Sequence, residues 1–242
     1  MHINLESLFN EEDLLRDYEL SNRKQPFKKI LTIGDSDIGF LGTHMTTKGY
    51  DLASIIAIFK SKQLFNPTQS KPIFLDLGCG LANVVIYAAH HGWISYGVDS
   101  NIHCYNASIE NIGKAIEAEF ISEGSAKVAY GNFFPPSFVL EKMPNYEKED
   151  PFRKTLDKQL EECPVLDVYA SQLNLRLSDV DLFYHFQVER QNNILRFFSE
   201  YGKRDAMLLI LRTMNDTVTF PPNIKKIGIF PINEDFVLYQ KI

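Results

Sequence analysis

A carboxylate and two glycines lie close together in one short run of the chain. Asp76 comes near the end of an apolar stretch that is typical of a buried strand, and Gly78 and Gly80 follow it at once. A carboxylate in this position can accept hydrogen bonds, while the glycines leave space for a ligand beside the backbone. The pattern D-x-G-x-G-x-A therefore indicates a site for a ligand that carries a positive charge.

A dinucleotide site is the alternative interpretation of a glycine-rich turn. Its fingerprint, G-x-G-x-x-G, needs a small and neutral third position, and counting from Gly78 that position is Asn83. An anion such as Asp76 is also out of place beside a pyrophosphate at a helix N-terminus. A cationic nucleoside, of which S-adenosylmethionine is the natural candidate, suits these residues better, and a nicotinamide-dependent oxidoreductase fits them least.

Composition narrows the class of protein. The chain has 242 residues, 45% of them hydrophobic and 23% charged, which predicts one soluble domain, residues 1–242, with no stretch near the ~20 apolar residues of a membrane span. The three cysteines are scattered and the first residues do not resemble a secretory signal, so a cytoplasmic location is predicted. The net charge of -6 argues against a nucleic-acid partner. Neither Cys79 nor the pair His90-His91 has the spacing of a metal site.

Apolar periodicity predicts an α/β fold. Amphipathic helices are expected within residues 1–26 and 51–62, with a short strand at 29–33, so residues 1–50 form an N-terminal extension. Strands at 73–77, 95–99, 127–131, 180–185 and 207–211 then alternate with helices at 82–91, 103–122 and 187–201. This alternation predicts a doubly wound, mostly parallel sheet, interrupted by a long charged insert at 134–178. Strands at 226–230 and 236–240 end the chain as an antiparallel hairpin.

Five parallel-type strands and a hairpin make a sheet of seven strands. Together with the loop Asp76-Leu77-Gly78-Cys79-Gly80-Leu81-Ala82 and an acid, Asp99, at the end of the second strand, this plan resembles the class I S-adenosylmethionine-dependent methyltransferases over residues 50–242. Ala82 replaces the last glycine of the family's loop. The resemblance implies an enzyme that transfers a methyl group from S-adenosylmethionine and leaves S-adenosylhomocysteine.

The same resemblance implies roles for particular residues in cofactor binding. The carboxylate of Asp99, beside Ser100, would accept hydrogen bonds from the ribose hydroxyls, Asn132 would accept one from the adenine amino group, and Phe133 would stack on the ring. Hydroxyl or basic groups upstream would meet the methionine carboxylate. The predicted cofactor-binding residues are Thr43, Tyr50, Asp76, Gly78, Cys79, Gly80, Asp99, Ser100, Asn132 and Phe133, with His44 a further candidate.

The exit of the fourth strand is where the family presents its acceptor-contacting residues. Here these are Tyr184, His185 and Gln187, the predicted catalytic residues, and His185 could accept a proton because an imidazole titrates near neutral pH. Transfer from a sulfonium also proceeds by alignment and desolvation, without a strong base.

The methyl acceptor is open at the level of sequence. Branches of the family that methylate adenine, cytosine or a glutamine amide often carry Asn-Pro-Pro-Tyr at this strand exit, and its absence here counts against those acceptors. The chain is instead similar to the non-SET protein-lysine methyltransferases. A protein lysine amine, a small-molecule acceptor and a catalytically inactive S-adenosylmethionine-binding scaffold are the alternatives.

Overall fold

The computed structural model describes residues 71–142, 167–186, 191–211, 219–229 and 236–242. The elements predicted within residues 1–62 and the centre of the predicted insert lie outside these ranges. The strands are β1 (Ile73–Leu77), β2 (Ile94–Asp99), β3 (Ala126–Tyr130), β4 (Leu182–His185), β5 (Met207–Leu211), β6 (Ile224–Ile229) and β7 (Phe236–Lys241). The α-helices are α1 (Asn83–His90), α2 (Ile102–Glu117), α3 (Pro136–Lys142) and α4 (Gln191–Tyr201), with a π-helical turn at Tyr169–Leu173 and a 3-10 turn at Leu177–Asp179.

The seven strands form one sheet in the order β3-β2-β1-β4-β5-β7-β6. The first five strands pair in parallel, whereas β7 runs antiparallel to both β5 and β6 and lies between them. This arrangement confirms the predicted α/β fold, including the C-terminal antiparallel pair.

Apolar layers cover both faces of the sheet, as a mostly parallel sheet requires. All five residues of β1 are buried. One layer contains the buried faces of α1 and α2, and the other contains those of α3, the two short turns and α4. Because helices lie on both faces, the sheet is doubly wound.

The predicted insert is partly core. Residues 134–178 were expected to be a charged excursion from the fold, but Phe134 and Phe138 on one side and Tyr169, Leu173 and Leu177 on the other are buried against the sheet. These residues belong to the core because their side chains are apolar, although the segment as a whole is rich in charge. Only the stretch between the two flanks, 143–166, stays outside the described residues.

Helix α2 ends at Glu117, several residues before its predicted end. Glu119 adopts a left-handed conformation with φ of 56°, and the amide of Phe120 donates to the carbonyl of Ala115 while that of Glu119 donates to Ile116. These bonds are a Schellman ending, which usually has glycine or asparagine at the left-handed position. The sequence carries a glutamate there, so the pattern did not reveal the end of the helix.

A side chain pairs with the outer edge of β3. The amide group of Gln172, in the π-helical turn, accepts a hydrogen bond from the backbone nitrogen of Tyr130 at 3.1 Å and donates one to its carbonyl at 2.8 Å. The two bonds reproduce at one residue the pairing that a neighbouring strand would give.

A buried ion pair joins the starts of β1 and β4. The carboxylate of Asp181 accepts a hydrogen bond from the amide of Ile73 at 2.7 Å and lies 2.5 Å from Nζ of Lys203. Asp181 is almost fully buried, and Lys203 is largely so. The pair lies at the amino ends of the parallel strands, opposite to the edge where the strands of a doubly wound sheet bind ligands.

Replacing Asp181 by asparagine should lower the free energy of unfolding by about 3–5 kcal/mol, because it leaves the Lys203 ammonium without its buried partner. Urea unfolding measures this loss. The matched control is Asp179→Asn, which removes a more exposed pair with Arg176 and should cost less than about 1 kcal/mol. Equal losses in the two variants would contradict the role given to the buried pair.

Candidate cofactor site at the carboxyl edge of the sheet

The carboxyl ends of β1, β2, β3 and β4 meet at one edge of the sheet. The strand order reverses between β1 and β4, and ligands of doubly wound folds bind at such a switch point. Asp76 lies there, in register with Gly97 of β2 and Tyr184 of β4. The ends of β1, β2 and β4 therefore lie side by side at Asp76.

The glycine loop, residues 78–82, folds back over the end of β2. Gly78 and Gly80 have φ of 88° and 54°, a left-handed conformation that glycine adopts without a steric penalty. The amides of Gly78 and Cys79 both donate to the carbonyl of Val98, at 2.9 and 3.1 Å. The loop is thereby fixed against the neighbouring strand.

Cys79 belongs to the interior of the loop. Its side chain is buried, and a Cβ on Gly97 would come within 2.7 Å of its Cβ and Sγ, so β2 carries a glycine where the thiol packs. Burial, together with the charges of Asp99 and Asp76, raises the pKa of this thiol well above its ordinary value. Its amide and carbonyl are also used within the fold, by Val98 and Ala82. These contacts do not favour the cofactor contact that the sequence predicted for Cys79.

Two buried polar side chains of α2 hold the carbonyls of the glycine loop. Oγ of Ser108 lies 2.6 Å from the carbonyl oxygen of Gly80, and Nδ2 of Asn111 donates to the carbonyl of Leu81 at 3.1 Å. Both side chains are fully buried. The sequence analysis missed them, although they follow Cys104 at helical spacing on the apolar face of α2, where a polar residue needs a buried partner.

Ala82 is the residue that departs from the family's glycine pattern. It has φ of 62°, in the left-handed region that costs a residue with a Cβ roughly 1–2 kcal/mol. Its methyl group is fully buried against α1 and the sheet. Burial of that methyl offsets part of the strain, and the loop keeps its shape without the third glycine.

Asp76 is a buried carboxylate with an unused oxygen. The residue is 2% exposed, and Oδ1 has no hydrogen-bond partner among the described residues. Burial, and to a smaller extent the charge of Asp99, raises the pKa of Asp76 well above its ordinary value. A buried acceptor without a donor is costly, so this oxygen marks a place where a ligand donor would be accommodated.

Asp99 connects the glycine loop to the start of α2. One carboxylate oxygen accepts a hydrogen bond from the amide of Gly80 and the other accepts one from the amide of Asn101, each at 2.8 Å. Both carboxylate oxygens therefore take part in holding the turn that follows β2 and the glycine loop. Ser100 follows Asp99 directly and is half-buried, as is Asp99 itself.

The exit of β3 is a tight turn. Oδ1 of Asn132 accepts a hydrogen bond from the amide of Phe134 at 2.8 Å, and the hydroxyl of buried Tyr169 donates to the carbonyl of Phe133 at 2.5 Å. The oxygen that was expected to meet an adenine amino group is therefore already an acceptor within the turn. The ring of Phe133 is half-buried and lies 5.4 Å from that of His185.

The predicted catalytic residues at the exit of β4 lie in different environments. Tyr184 is 2% exposed and packs between Phe74 and Phe236, with ring centroids at 6.3 and 6.4 Å, so it lies in the core. His185 is half-buried, and its Nδ1 lies 2.5 Å from the carbonyl of Leu77.

The pKa of His185 differs from the near-neutral value that the sequence analysis assumed for an imidazole. Burial lowers the pKa of the imidazole to about 4, although the hydrogen bond to the carbonyl of Leu77 opposes that shift. The sequence could not show this, because the acceptor that fixes the ring comes from another strand. The other predicted site residues, Gln187, Thr43, His44 and Tyr50, lie outside the described residues.

Two further properties concern only the described parts of the chain. They contain no group of three or more histidine, cysteine, aspartate or glutamate side chains that could hold a metal ion. They also contain no helix that is long and apolar enough to cross a membrane.

Asp76→Asn should raise the free energy of unfolding at neutral pH, because it removes a carboxylate whose ionised form is disfavoured by burial. The raised pKa of Asp76 determines in which direction the free energy of unfolding changes with pH. Above the unfolded value of 3.8, the unfolded chain releases the Asp76 proton while the folded chain retains it, so the stability of the natural protein falls as the pH rises until Asp76 ionises in the folded state.

Urea unfolding of the two proteins between about pH 4 and pH 7 measures this difference. We expect the gap between them to narrow as the pH falls. A variant less stable than the natural protein at neutral pH would show instead that the ionised carboxylate is stabilised.

No protein-family model matches the chain, and no curated protein matches its sequence. Solved structures do resemble it. A methyltransferase from Geobacter sulfurreducens is 11% identical with a TM-score of 0.49, over 98% of this chain and 93% of that one. An RNA methyltransferase from Salinibacter ruber in complex with S-adenosyl-L-homocysteine is 14% identical with a TM-score of 0.43, over 78% and 89%. A mutant of MtNAS in complex with S-adenosylmethionine is 10% identical with a TM-score of 0.46, over 95% and 75%.

Such low identities and scores assign neither a ligand nor a substrate to this chain. The sheet itself is more informative, because five parallel strands and a C-terminal antiparallel pair are the plan expected from the sequence, whereas the position of β7 between β5 and β6 was not predicted. The chain has a Rossmann-like α/β fold with a seven-stranded, mostly parallel sheet.

Proposed function

We propose that this protein binds S-adenosylmethionine at the carboxyl edge of the sheet and transfers its methyl group to a nucleophilic acceptor. The unpartnered Oδ1 of Asp76 is the observation that carries the proposal. A buried carboxylate oxygen accepts most favourably from a cationic donor, and the ammonium of the methionine moiety is such a group. A pyrophosphate at the same place would bring a further anionic group beside Asp76 and Asp99.

The neighbouring strand ends support the remaining contacts. A carboxylate at the end of β2, here Asp99, is suited to accept from two vicinal ribose hydroxyls, with Ser100 beside it. The half-buried ring of Phe133 offers an apolar face for a base, and Asn132, whose oxygen is engaged in the turn, still has amide hydrogens to donate. Gly78 and Gly80 keep side chains out of the space between these groups. Thr43 and Tyr50 remain part of the proposal for the methionine carboxylate.

The bound sulfonium supplies an activated methyl group, and S-adenosylhomocysteine is the leaving product. The task of the chain is therefore to orient the acceptor and to exclude water. Loop and strand ends that are fixed by backbone and buried side-chain hydrogen bonds are suited to that task. Tyr184 is in the core, so His185 is the predicted catalytic residue that the proposal retains among the described ones.

The net charge of -6 favours a basic acceptor, such as a lysine side chain of a protein, over a nucleic acid. A small-molecule amine is the alternative acceptor. A binding scaffold without activity would keep the same cofactor contacts and differ only in turnover.

Calorimetry with S-adenosylhomocysteine tests the cofactor site. The natural protein should bind it, and Asp76→Asn should weaken binding about 10- to 100-fold, because one charge-assisted hydrogen bond is lost. Asp179→Asn, at the opposite edge of the sheet, is the matched control and should bind as the natural protein does. Unchanged affinity in Asp76→Asn would contradict the assignment, and thermal stabilisation by NADH instead of S-adenosylhomocysteine would favour an oxidoreductase.

Incubation with tritiated S-adenosylmethionine and a size-fractionated lysate tests the transfer itself. Label in the protein fraction would favour a protein acceptor, and label in the metabolite fraction would favour a small molecule. Tight binding of S-adenosylhomocysteine without label in any fraction would favour the inactive scaffold.

A further inference from the structure

His185 continues the pairing of β1 and β4 by means of its side chain. The last paired residues of the two strands are Asp76 and Tyr184. One residue further along both strands, Nδ1 of His185 is hydrogen-bonded to the carbonyl oxygen of Leu77 at 2.5 Å. A carbonyl can only accept, so Nδ1 carries the hydrogen and Nε2 is left with a lone pair.

The ring of His185 lies beside two parts of the proposed site. A Cβ built on Gly78 would lie 4.0 Å from Cε1, the atom between the two nitrogens, so the glycine loop passes next to that edge of the imidazole. Phe133 flanks the ring from the exit of β3. Among the described residues Nε2 has no hydrogen-bond partner, and the three groups named here, from β1, the glycine loop and β3, are not titratable.

We propose that His185 is held as the Nδ1–H tautomer and presents Nε2 as a hydrogen-bond acceptor in the methyl-transfer site, so that the methyl acceptor is an uncharged amine whose N–H donates to Nε2. This inference rests on the proposed function and specifies its substrate class. It makes His185 a catalytic residue through orientation of the nucleophile, without general-base chemistry.

The chemistry of transfer favours nitrogen over other nucleophiles at this place. The nitrogen lone pair forms the new N–C bond as the C–S bond breaks, and the positive charge of the sulfonium passes to the product, which leaves as a methylated ammonium. A hydroxyl acceptor needs a base, and the residues beside the ring, Leu77, Gly78 and Phe133, carry no basic side chain. Burial also lowers the pKa of the imidazole itself, to about 4. A thiolate or a carboxylate has no hydrogen to donate to Nε2.

Long-range proton–nitrogen NMR of the full chain, labelled with ¹⁵N in histidine and saturated with S-adenosylhomocysteine, tests the tautomer directly. The spectrum of His185→Asn identifies the signal. We expect the Nδ1–H form with no titration between about pH 5 and pH 8. An Nε2–H tautomer, or a charge change near neutral pH, would overturn the proposal even if cofactor binding is confirmed.

Two variants separate the two nitrogens in a transfer assay on the fraction that accepts tritium. His185→Asn places an amide donor near the Nδ1 position, so it should keep the affinity for S-adenosylhomocysteine and slow transfer about tenfold or more. His185→Phe should weaken both. Transfer at the natural rate by His185→Asn, or a product methylated on sulfur, carbon or oxygen by mass spectrometry, would overturn the proposal. Absence of S-adenosylhomocysteine binding by the natural protein would instead refute the proposed function, and the tautomer would still be read from the unliganded protein.

Discussion

The carbonyl oxygen of Val98 receives two consecutive amides, those of Gly78 and Cys79, and this shared acceptor determines the path of the glycine loop. The chain must turn back on itself directly after β1 to bring both amides to one oxygen, which requires left-handed backbone conformations at Gly78 and Gly80. Once the loop is there, Asp99 can reach the amide of Gly80, and α2 can reach its carbonyls. The ends of β1 and β2 and helix α2 are thus fixed relative to one another by backbone geometry first and by side chains second.

The electrostatics of the carboxyl edge are unusual for a folded interior. Two carboxylates, Asp76 and Asp99, lie close enough for the charge of one to raise the pKa of the other, and Asp76 has an oxygen unused among the described residues. At the opposite edge, Asp181 is as deeply buried, but it has the Lys203 ammonium and a backbone amide as partners. The contrast separates two uses of a buried acid. Asp181 is paired within the fold, whereas Asp76 keeps an oxygen without a partner among the described residues, and the proposed cofactor site rests on this difference.

Much of this fold could be predicted from sequence, because its signals are local. β1 and β5 have the predicted bounds, and the loop from Asp76 to Ala82 showed the carboxylate and the left-handed positions together. The failures share a cause in contacts between distant residues. The residues next to His185 in sequence do not indicate that the carbonyl of Leu77 contacts its ring. Likewise, the residues next to Tyr184 do not indicate that Phe74 and Phe236 pack against it. Ser108 and Asn111 were readable in principle as polar residues on an apolar helix face, yet their partners are 28 and 30 residues away.

The pairing between Gln172 and Tyr130 bears on how the protein behaves among other molecules. β3 is the first strand of the sheet, and the outer edge of such a strand presents backbone donors and acceptors that can recruit a strand from another chain. At the end of β3 nearest the site, a single amide side chain occupies both groups of one residue. The flank of the insert that carries Gln172 therefore withholds this donor and this acceptor from a strand of another chain.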